Sequence, residues 1–313
     1  MARETKEPFL TILTPTYKGG DRLLGVYNSL LNQTYKNFEW VIIMDGYCDE
    51  TQAIINKMTA ESIFPIISNW IDHNHKKAAH NDGVRRANGK FILIADDDDE
   101  FPSQSLEILV DAWNTLSHEE KKTFVGVTGL CVDEKGKIVG DKFPSNHFKS
   151  NALDCSLKHK IKGEKWGMLK TSILKKNLFF EEPKGYVGES TLWFKLARKY
   201  NTLYVNRVVR TYKWNENSII NSSLDKKKIS NNCQAYAFGY RDPLVNHIDY
   251  AFYHPRFFAA CIVNYTIYLF YAIKNGLYKD YLTPVAPPYL LLLIILFLPL
   301  TLLIFFKRNI LVK

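Results

Sequence analysis

The chain has 313 residues, of which 46% are hydrophobic and 23% are charged, and its formal net charge is +9. These values are those of a folded protein and exclude a disordered one, and the length suits one large domain or two ordinary domains. The basic excess suits an anionic lipid surface, an acidic polymer or nucleic acid, but the sequence contains no recognisable nucleic-acid-binding motif. The N-terminal residues lack the apolar stretch of a secretory signal, and five unpatterned cysteines favour reduced thiols in a cytoplasmic setting.

Predicted strands and helices alternate along most of the chain. Short apolar runs predict strands over residues 9–14, 38–44, 64–68, 91–95 and 203–211. Helical spacing predicts helices over residues 22–32, 50–59, 77–87, 105–116 and 190–198. Asp49 is the expected N-cap of the second helix. This alternation predicts a parallel sheet with helices on both faces. A dinucleotide-binding dehydrogenase is disfavoured, because the turn after the first strand, TPTYKGGD, lacks the glycine fingerprint.

The most distinctive stretch is residues 91–100, FILIADDDDE, in which a short apolar run leads directly into Asp96, Asp97, Asp98 and Asp99. The run predicts a buried strand, so the carboxylates follow its C-terminal end, where open α/β sheets bind their ligands. Four adjacent carboxylates repel one another unless a cation joins them, and Mg²⁺ or Mn²⁺ prefers oxygen ligands shared with substrate phosphates. The stretch therefore predicts a metal that holds a phosphorylated substrate. The alternative is a solvated acidic turn.

Two uncharged apolar segments near the C-terminus are candidates for membrane insertion. The predicted membrane segment covers residues 285–307, around a run of 18 uncharged residues, YLLLLIILFLPLTLLIFF. As a helix, this run would be about 27 Å long, close to the hydrocarbon thickness of a bilayer. Residues 257–273 form a candidate second span, with an interfacial helix or packing on the soluble domain as alternatives. A hairpin of two spans is favoured, because it returns the basic tail to the side of the preceding domain.

Four sequence blocks between residues 9 and 200 carry a family resemblance. In order, they are LTPTYKGGDRLLGVYNSLLNQTYKNFEWVII, MDGYCDET, NHKKAAHNDGVRRANGKFILIADDDDEF and YVGESTLWFKLARKY. Together they resemble family 2 glycosyltransferases of the GT-A fold, although Met44 stands where the second block of the family begins with an aspartate. The resemblance implies an inverting enzyme that uses nucleotide-diphospho-sugars. It also implies a Rossmann-like, mostly parallel α/β sheet flanked by helices, to which the C-terminal hydrophobic segment adds a membrane helix or helical hairpin.

The resemblance also implies which residues bind the donor. The nucleotide-sugar would contact Thr14, Pro15, Thr16, Tyr17, Asp45, Asp96 and Asp97. Asp45 would accept a hydrogen bond from a uracil imide, which makes UDP the expected nucleotide, whereas the alternative for Asp45 is a simple turn residue before Gly46. Asp98, with Asp96, would ligate Mg²⁺ or Mn²⁺, which bridges the diphosphate.

Sugar transfer with inversion needs a base that takes the proton of the acceptor hydroxyl. Glu189 is the predicted base, because the fourth block resembles the segment that carries the family's catalytic carboxylate. Many members have Glu-Asp there, whereas this chain has Glu189-Ser190, and a helix-capping role for Glu189 is the alternative. Trp166, in a predicted turn over residues 164–167, and Trp193 are the predicted acceptor-binding residues. The helical spacing of Trp193 also fits a core position.

These inferences give a predicted organisation and function. Residues 1–225 form the glycosyltransferase domain, with the nucleotide-sugar half at about 1–100 and the acceptor half at about 101–225, and residues 226–282 form a helical or interfacial region. The protein is expected at the cytoplasmic face of the cell membrane, where it transfers a sugar to a glycan or lipid-linked glycan in surface polysaccharide biosynthesis, without a nucleic acid partner. The alternatives are a metal-dependent nucleotidyltransferase or phosphohydrolase, and a catalytically silent membrane-attached nucleotide-sugar binding protein.

Overall fold

The computed structural model describes residues 7–183, 185–212, 226–282 and 288–310. Eight strands of these residues form one sheet in the order β3-β2-β1-β4-β7-β5-β8-β6. Strands β1 to β8 are Leu10–Thr16, Phe38–Asp45, Ile66–Ile71, Phe91–Ile94, Phe124–Asp133, Phe148–Ser150, Lys165–Lys170 and Asn201–Tyr212. Helices α1 to α10 are Arg22–Leu31, Asp49–Glu61, His75–Arg86, Ser105–Asn114, His118–Thr123, Thr171–Leu174, Ser190–Ala197, Lys226–Asn246, Pro255–Lys274 and Pro288–Ile310.

The first four strands are parallel, as the alternation of strands and helices predicted. Leu10 of β1 pairs with Phe38 of β2 on one side and with Phe91 of β4 on the other. Every residue of β1 and β2 is buried, which is typical of parallel strands covered on both faces. The chain runs outward through β2 and β3 and then returns to the opposite side of β1 as β4. The carboxyl ends of β1 and β4 therefore flank a topological switch point, where such sheets bind ligands.

The other half of the sheet is mixed. Strand β7 is antiparallel to both β4 and β5, β8 is parallel to β5, and the short edge strand β6 is antiparallel to β8. Two glycines let β5 and β7 approach closely. A Cβ atom on Gly126 would lie 1.8 Å from the carbonyl oxygen of Met168, and one on Gly167 would lie 2.0 Å from that of Val127. The complete sheet, flanked by helices, is thus the mostly parallel α/β arrangement that the resemblance implied.

Three local predictions differ from the structure. Residues 164–167 were predicted as a turn, but Lys165 begins β7, whose pairing with two distant strands no local pattern reveals. The third strand, predicted over 64–68, is Ile66–Ile71 at the sheet edge, and exposed residues alternate with half-buried ones along most of it because successive side chains point to opposite faces. The N-cap of α2 is Cys48, and Asp49 is already the first helical residue.

The chain divides into two compact units. Among the described residues, the first unit comprises 7–156, 161–179 and 196–212, and contains the whole sheet. The second comprises 157–160, 180–183, 185–195, 226–282 and 288–310. The predicted boundary near residue 225 lies outside the described residues.

The second unit is helical, and α9 lies at its centre. The ring of Tyr268 in α9 stacks on Tyr240 of α8 at 5.8 Å, and the hydroxyl of Tyr265 donates to the carbonyl oxygen of Leu282 at 2.9 Å. Helix α9 is the one helix of the described chain that is long and apolar enough to cross a membrane, although 44% of its most apolar stretch is buried. Of the predicted membrane segment at 285–307, residues 285–287 lie outside the described residues and the remainder lies within α10, where a shorter apolar stretch covers Leu292–Ile304.

Candidate functional site

Polar residues follow the ends of three neighbouring parallel strands. Thr16 ends β1 and Tyr17 follows it, Asp45 ends β2, and the aspartates begin shortly after β4. Parallel strands place their carboxyl ends at one edge of a sheet, so these residues lie along the same edge, at the switch point. We call residues 95–100 the acidic loop.

Asp97 ties the acidic loop to the end of β1 and the start of α1. The hydroxyl of Thr16 donates to Asp97 Oδ2 at 2.5 Å. The guanidinium of Arg22 donates to both carboxylate oxygens, at 3.1 Å and 2.9 Å, and to the carbonyl oxygen of Tyr17 at 3.3 Å. The turn between them is tight, because a Cβ atom on Gly19 would lie 2.1 Å from Thr16 Oγ1 and 2.9 Å from Asp97 Oδ2. This carboxylate therefore holds the backbone of the site in place, and its predicted contact with the donor stays a prediction.

Asp96 and Asp98 are the more exposed carboxylates of the predicted metal site. Asp96 lies 2.6 Å from Nζ of Lys76 in α3, and its side chain is 40% exposed. Burial acts to raise the pKa of Asp96, but Lys76, together with Arg210, outweighs it and leaves the pKa below its usual value. The half-buried Asp98 has no ion-pair partner among the residues that the structure describes. Burial and the charges of Asp96 and Asp97 raise its pKa. A bound cation would therefore stabilise the charged form of Asp98 more than that of the other three aspartates.

These carboxylates fit a hard divalent cation. No group of three His, Cys, Asp or Glu side chains in the described part of the chain is placed to hold a metal alone. Mg²⁺ is usually bound by one or two carboxylates, with the remaining oxygens supplied by substrate phosphates and water. The donor set of Asp98 and Asp96 matches that arrangement.

Asp99, the fourth aspartate, points away from solvent. It is 3% exposed, and its Oδ2 accepts a hydrogen bond from the backbone N–H of Asp96 at 2.9 Å. Its Oδ1 lies 3.0 Å from Nε of Arg210 in β8. Burial acts to raise the pKa of Asp99, and the nearby charge of Arg210 opposes this effect by favouring the carboxylate. Asp99 thus belongs to the support beneath the site.

Asp45 fixes the segment between β3 and α3. Its Oδ1 accepts a hydrogen bond from the backbone N–H of Asn74 at 2.7 Å, and its Oδ2 lies 2.9 Å from Nδ1 of His73. The His73 ring in turn lies 4.7 Å from the ring of Tyr17. Sequence reasoning gave no role to His73 or Asn74, and the HNH run at the start of α3 was the local signal that could have found them. The predicted base-binding role of Asp45 stays a prediction.

The side chains of Thr14 and Pro15 are buried within β1. The Thr14 hydroxyl accepts a hydrogen bond from Trp40 Nε1 at 2.9 Å, so it faces the core. The contact predicted for this turn, in which its backbone lies along the nucleoside, stays a prediction.

The structure contradicts the acceptor-binding role predicted for Trp166. Its side chain is 5% exposed, and its ring stacks on Phe101 at 4.5 Å. Its Nε1 donates to the carbonyl oxygen of Ile94 at 2.5 Å. A ring buried in this way offers no face to a sugar. Trp166 instead supports the residues on either side of the acidic loop from within the core.

Glu189 and Trp193 lie in the second unit. Glu189 directly precedes α7 and is half-buried, and its carbonyl oxygen accepts hydrogen bonds from the backbone N–H groups of Leu192 and Trp193 at 3.0 Å and 3.1 Å. Trp193 is half-buried within α7. The catalytic role of Glu189 and the acceptor role of Trp193 stay predictions.

Comparison with known proteins identifies relatives of this chain. The C. jejuni GalNAc(5)-diNAcBac-PP-undecaprenol beta-1,3-glucosyltransferase is 26% identical over 66% of this chain and 65% of its own length, just under two thirds. The E. coli UDP-Glc:alpha-D-GlcNAc-diphosphoundecaprenol beta-1,3-glucosyltransferase WfaP is 33% identical over 42% of this chain and 49% of its own length.

Solved structures show the same fold. S. aureus TarS 1–349 in complex with UDP-GlcNAc has a TM-score of 0.57 and 17% identity, with 83% of this chain and 72% of that chain covered. The mannosyltransferase PcManGT from Pyrobaculum calidifontis, in complex with GDP-Man and Mn²⁺, has a TM-score of 0.53 and 18% identity. The match covers 94% of this chain and 87% of that chain. The fold is therefore of the GT-A glycosyltransferase type.

The family model described as glycosyl transferase family 2 matches residues 11–175, which is more than half of the chain. The matched segment contains the ends of β1, β2 and β4 and the complete acidic loop. On this match, the chain belongs to glycosyl transferase family 2.

Proposed function

We propose that this protein is an inverting glycosyltransferase that moves a sugar from a nucleotide-diphospho-sugar to a glycan or lipid-linked glycan acceptor. The observation that carries the proposal is the position of Asp96 and Asp98 at the switch point of the sheet, beside the ends of β1 and β2. The names of the two bacterial relatives, which specify transfer of glucose to undecaprenol-linked acceptors, support an acceptor of this class.

The proposed donor is a UDP-sugar. The Asp45 carboxylate accepts a backbone N–H in this structure, and the imide N–H of uracil has the same donor chemistry. A buried carboxylate discriminates among bases, because a base without a matching donor would leave it unpaired. The UDP-GlcNAc bound to TarS and the UDP-Glc in the name of the E. coli relative agree with this choice.

Asp98 and Asp96 are the proposed ligands of Mg²⁺ or Mn²⁺. Either ion, when bound, would offset the negative charge that develops on the leaving nucleoside diphosphate. Asp97 keeps its contacts with Thr16 and Arg22 and so holds the loop while Asp98 faces the donor. The Mn²⁺ in the PcManGT structure supports a metal of this type.

Glu189 is the proposed base. It would take the proton of the acceptor hydroxyl as that oxygen forms a bond to the anomeric carbon. The bond from the anomeric carbon to the diphosphate oxygen breaks in the same step, and its electron pair leaves with the nucleoside diphosphate. Attack from the face opposite the leaving group inverts the anomeric configuration.

The proposed location is the cytoplasmic face of the cell membrane. Helix α10 leaves large apolar side chains exposed, among them Leu292, Leu296 and Leu303. Exposed apolar side chains of this kind favour lipid over water. All five cysteines are free thiols, in keeping with a reducing compartment.

The test is nucleoside diphosphate release from a panel of nucleotide-sugars with Mn²⁺ and undecaprenol-linked acceptors. We expect Asp98→Asn and Glu189→Gln to lower transfer at least 100-fold, because each removes a group that acts in the reaction. Glu182→Gln, at an exposed glutamate near Glu189, is the matched control and should retain full activity.

Three outcomes would overturn parts of the proposal. Full transfer by Glu189→Gln would exclude Glu189 as the base. Turnover of nucleoside triphosphates without sugar transfer would indicate a nucleotidyltransferase or phosphohydrolase. Binding of nucleotide-sugars that are never consumed would indicate a silent binding protein.

A further inference from the structure

A buried ion pair lies beneath the acidic loop. Asp99 is 3% and Arg210 is 7% exposed, and their closest charged atoms are 3.0 Å apart. Charged side chains are almost never buried to this extent unless they are paired, because removing two charges from water is costly. Arg210 lies on β8, more than one hundred residues along the chain from Asp99. The pair therefore connects the site to the other half of the sheet.

Strand β8 holds the acidic loop at two adjacent points. Arg210 faces Asp99, and the backbone N–H of the next residue, Thr211, donates to the carbonyl oxygen of Glu100 at 2.8 Å. Asp99 transmits this attachment to Asp96 through two hydrogen bonds. Its Oδ2 accepts the Asp96 N–H at 2.9 Å, and its own N–H donates to the Asp96 carbonyl oxygen at 3.2 Å.

These contacts fix the backbone of the loop, whereas the side chains of Asp96 and Asp98 remain partly exposed. Residues behind metal ligands orient them, and their loss weakens metal binding although they touch no metal. Arg210 is itself held by Tyr212, whose ring lies 5.5 Å from the guanidinium carbon. Its Nε–H is not aligned with a carboxylate oxygen, so the attraction to Asp99 depends on charge more than on hydrogen-bond direction.

We propose that Arg210 is a positioning residue that acts through Asp99 to set Asp96 and Asp98 for the metal and the donor diphosphate. This role rests on the proposed function, because it presupposes that these two aspartates hold the metal of a nucleotide-sugar. Arg210 is not a catalytic residue, since its contacts are with Asp99 and the core.

The test measures Mn²⁺ affinity in the presence of UDP, by electron paramagnetic resonance of free Mn²⁺, on the full chain. We expect Arg210→Met to weaken Mn²⁺ binding at least tenfold. Arg210→Lys keeps the charge and should recover a substantial part of that loss. The matched control is Arg207→Met, at an exposed arginine of the same strand, which should bind Mn²⁺ like the wild type.

A double variant separates positioning from stability. Arg210→Met alone leaves a buried unpaired carboxylate and can unfold the protein, whereas Asp99→Asn with Arg210→Met replaces the ion pair by neutral groups. We expect the double variant to recover the thermal stability that Arg210→Met loses but to remain at least tenfold weaker for Mn²⁺.

The outcomes distinguish this inference from the proposed function. If the wild type binds no Mn²⁺ with UDP, the proposed function fails and the positioning role fails with it. If the wild type binds and the folded double variant binds equally well, or if Lys and Met at position 210 are equivalent, the positioning role alone is wrong.

Discussion

The four consecutive aspartates have different surroundings, although they are chemically identical. Three of them have a basic partner, in the pairs Asp96–Lys76, Asp97–Arg22 and Asp99–Arg210. Asp98 lacks such a partner among the described residues, and burial and its neighbours raise its pKa. Neighbouring substitutions in this run should therefore have different effects. The run itself predicts a cation site, but it does not reveal which of the four carboxylates lacks a basic side chain as its partner.

Trp166 provides a prediction at the residue scale. Trp166→Phe keeps an aromatic ring against Phe101 but removes the donor to the carbonyl oxygen of Ile94. A typical hydrogen bond contributes about 0.5–1.5 kcal/mol, so we expect its loss to lower the free energy of unfolding measured in urea. The acceptor KM should stay unchanged, since the ring faces the core. A raised acceptor KM with unchanged stability would restore the sugar-stacking role.

At the scale of the elements, the helices of the second unit divide into buried and exposed ones. Helix α9 buries Phe258, Cys261 and Tyr265, although it is long and apolar enough to span a membrane. Helix α10 instead exposes several large apolar side chains, with exposed fractions of 67% for Leu292 and 71% for Leu296. Hydropathy alone ranks both segments as candidates, and burial distinguishes them.

We expect the exposed face of α10 to anchor the protein. The variant Leu292→Asp, Leu296→Asp, Leu303→Asp should move the protein from the membrane fraction to the soluble fraction. Each charge at the centre of a membrane helix costs about 2.5–3.5 kcal/mol. The measurement is the distribution after ultracentrifugation of a lysate. Ile63→Asp, at an equally exposed residue of the first unit, is the control and should stay in the membrane fraction. A triple variant that still sediments with membranes would exclude α10 as the anchor.

At the scale of the whole molecule, ligand binding should stabilise the fold only when metal and nucleotide are present together. A ligand at 100 times its Kd stabilises the native state by about 2.7 kcal/mol, which corresponds to a rise in Tm of roughly 5–10 °C for a domain of this size. We expect UDP with Mn²⁺ to produce this rise and EDTA to abolish it. Differential scanning fluorimetry measures the effect, and Asp98→Asn, which should show no rise, is the control. An equal rise with UDP and EDTA would contradict a metal-bridged diphosphate.

The sequence by itself determined the types and order of the elements in the first half of the sheet. Apolar runs such as residues 91–95 and helical spacing such as residues 22–32 are local signals, so strands and helices follow from neighbouring residues. The same signals put the aspartates after a strand and hence at the ligand-binding edge. The order of the four sequence blocks also indicated family 2 glycosyltransferases, and the match over residues 11–175 confirmed this family.

Only the tertiary structure decided how the site is built. The partners of the aspartates are distant in sequence, as Arg22 is from Asp97 and Arg210 is from Asp99. The strand that buries Trp166 exists because β7 pairs with both β4 and β5, which no local pattern encodes. The physical reason is the range of the forces. Backbone preference and amphipathic spacing act between near neighbours, whereas burial, ion pairing and strand pairing depend on residues that only the fold brings together.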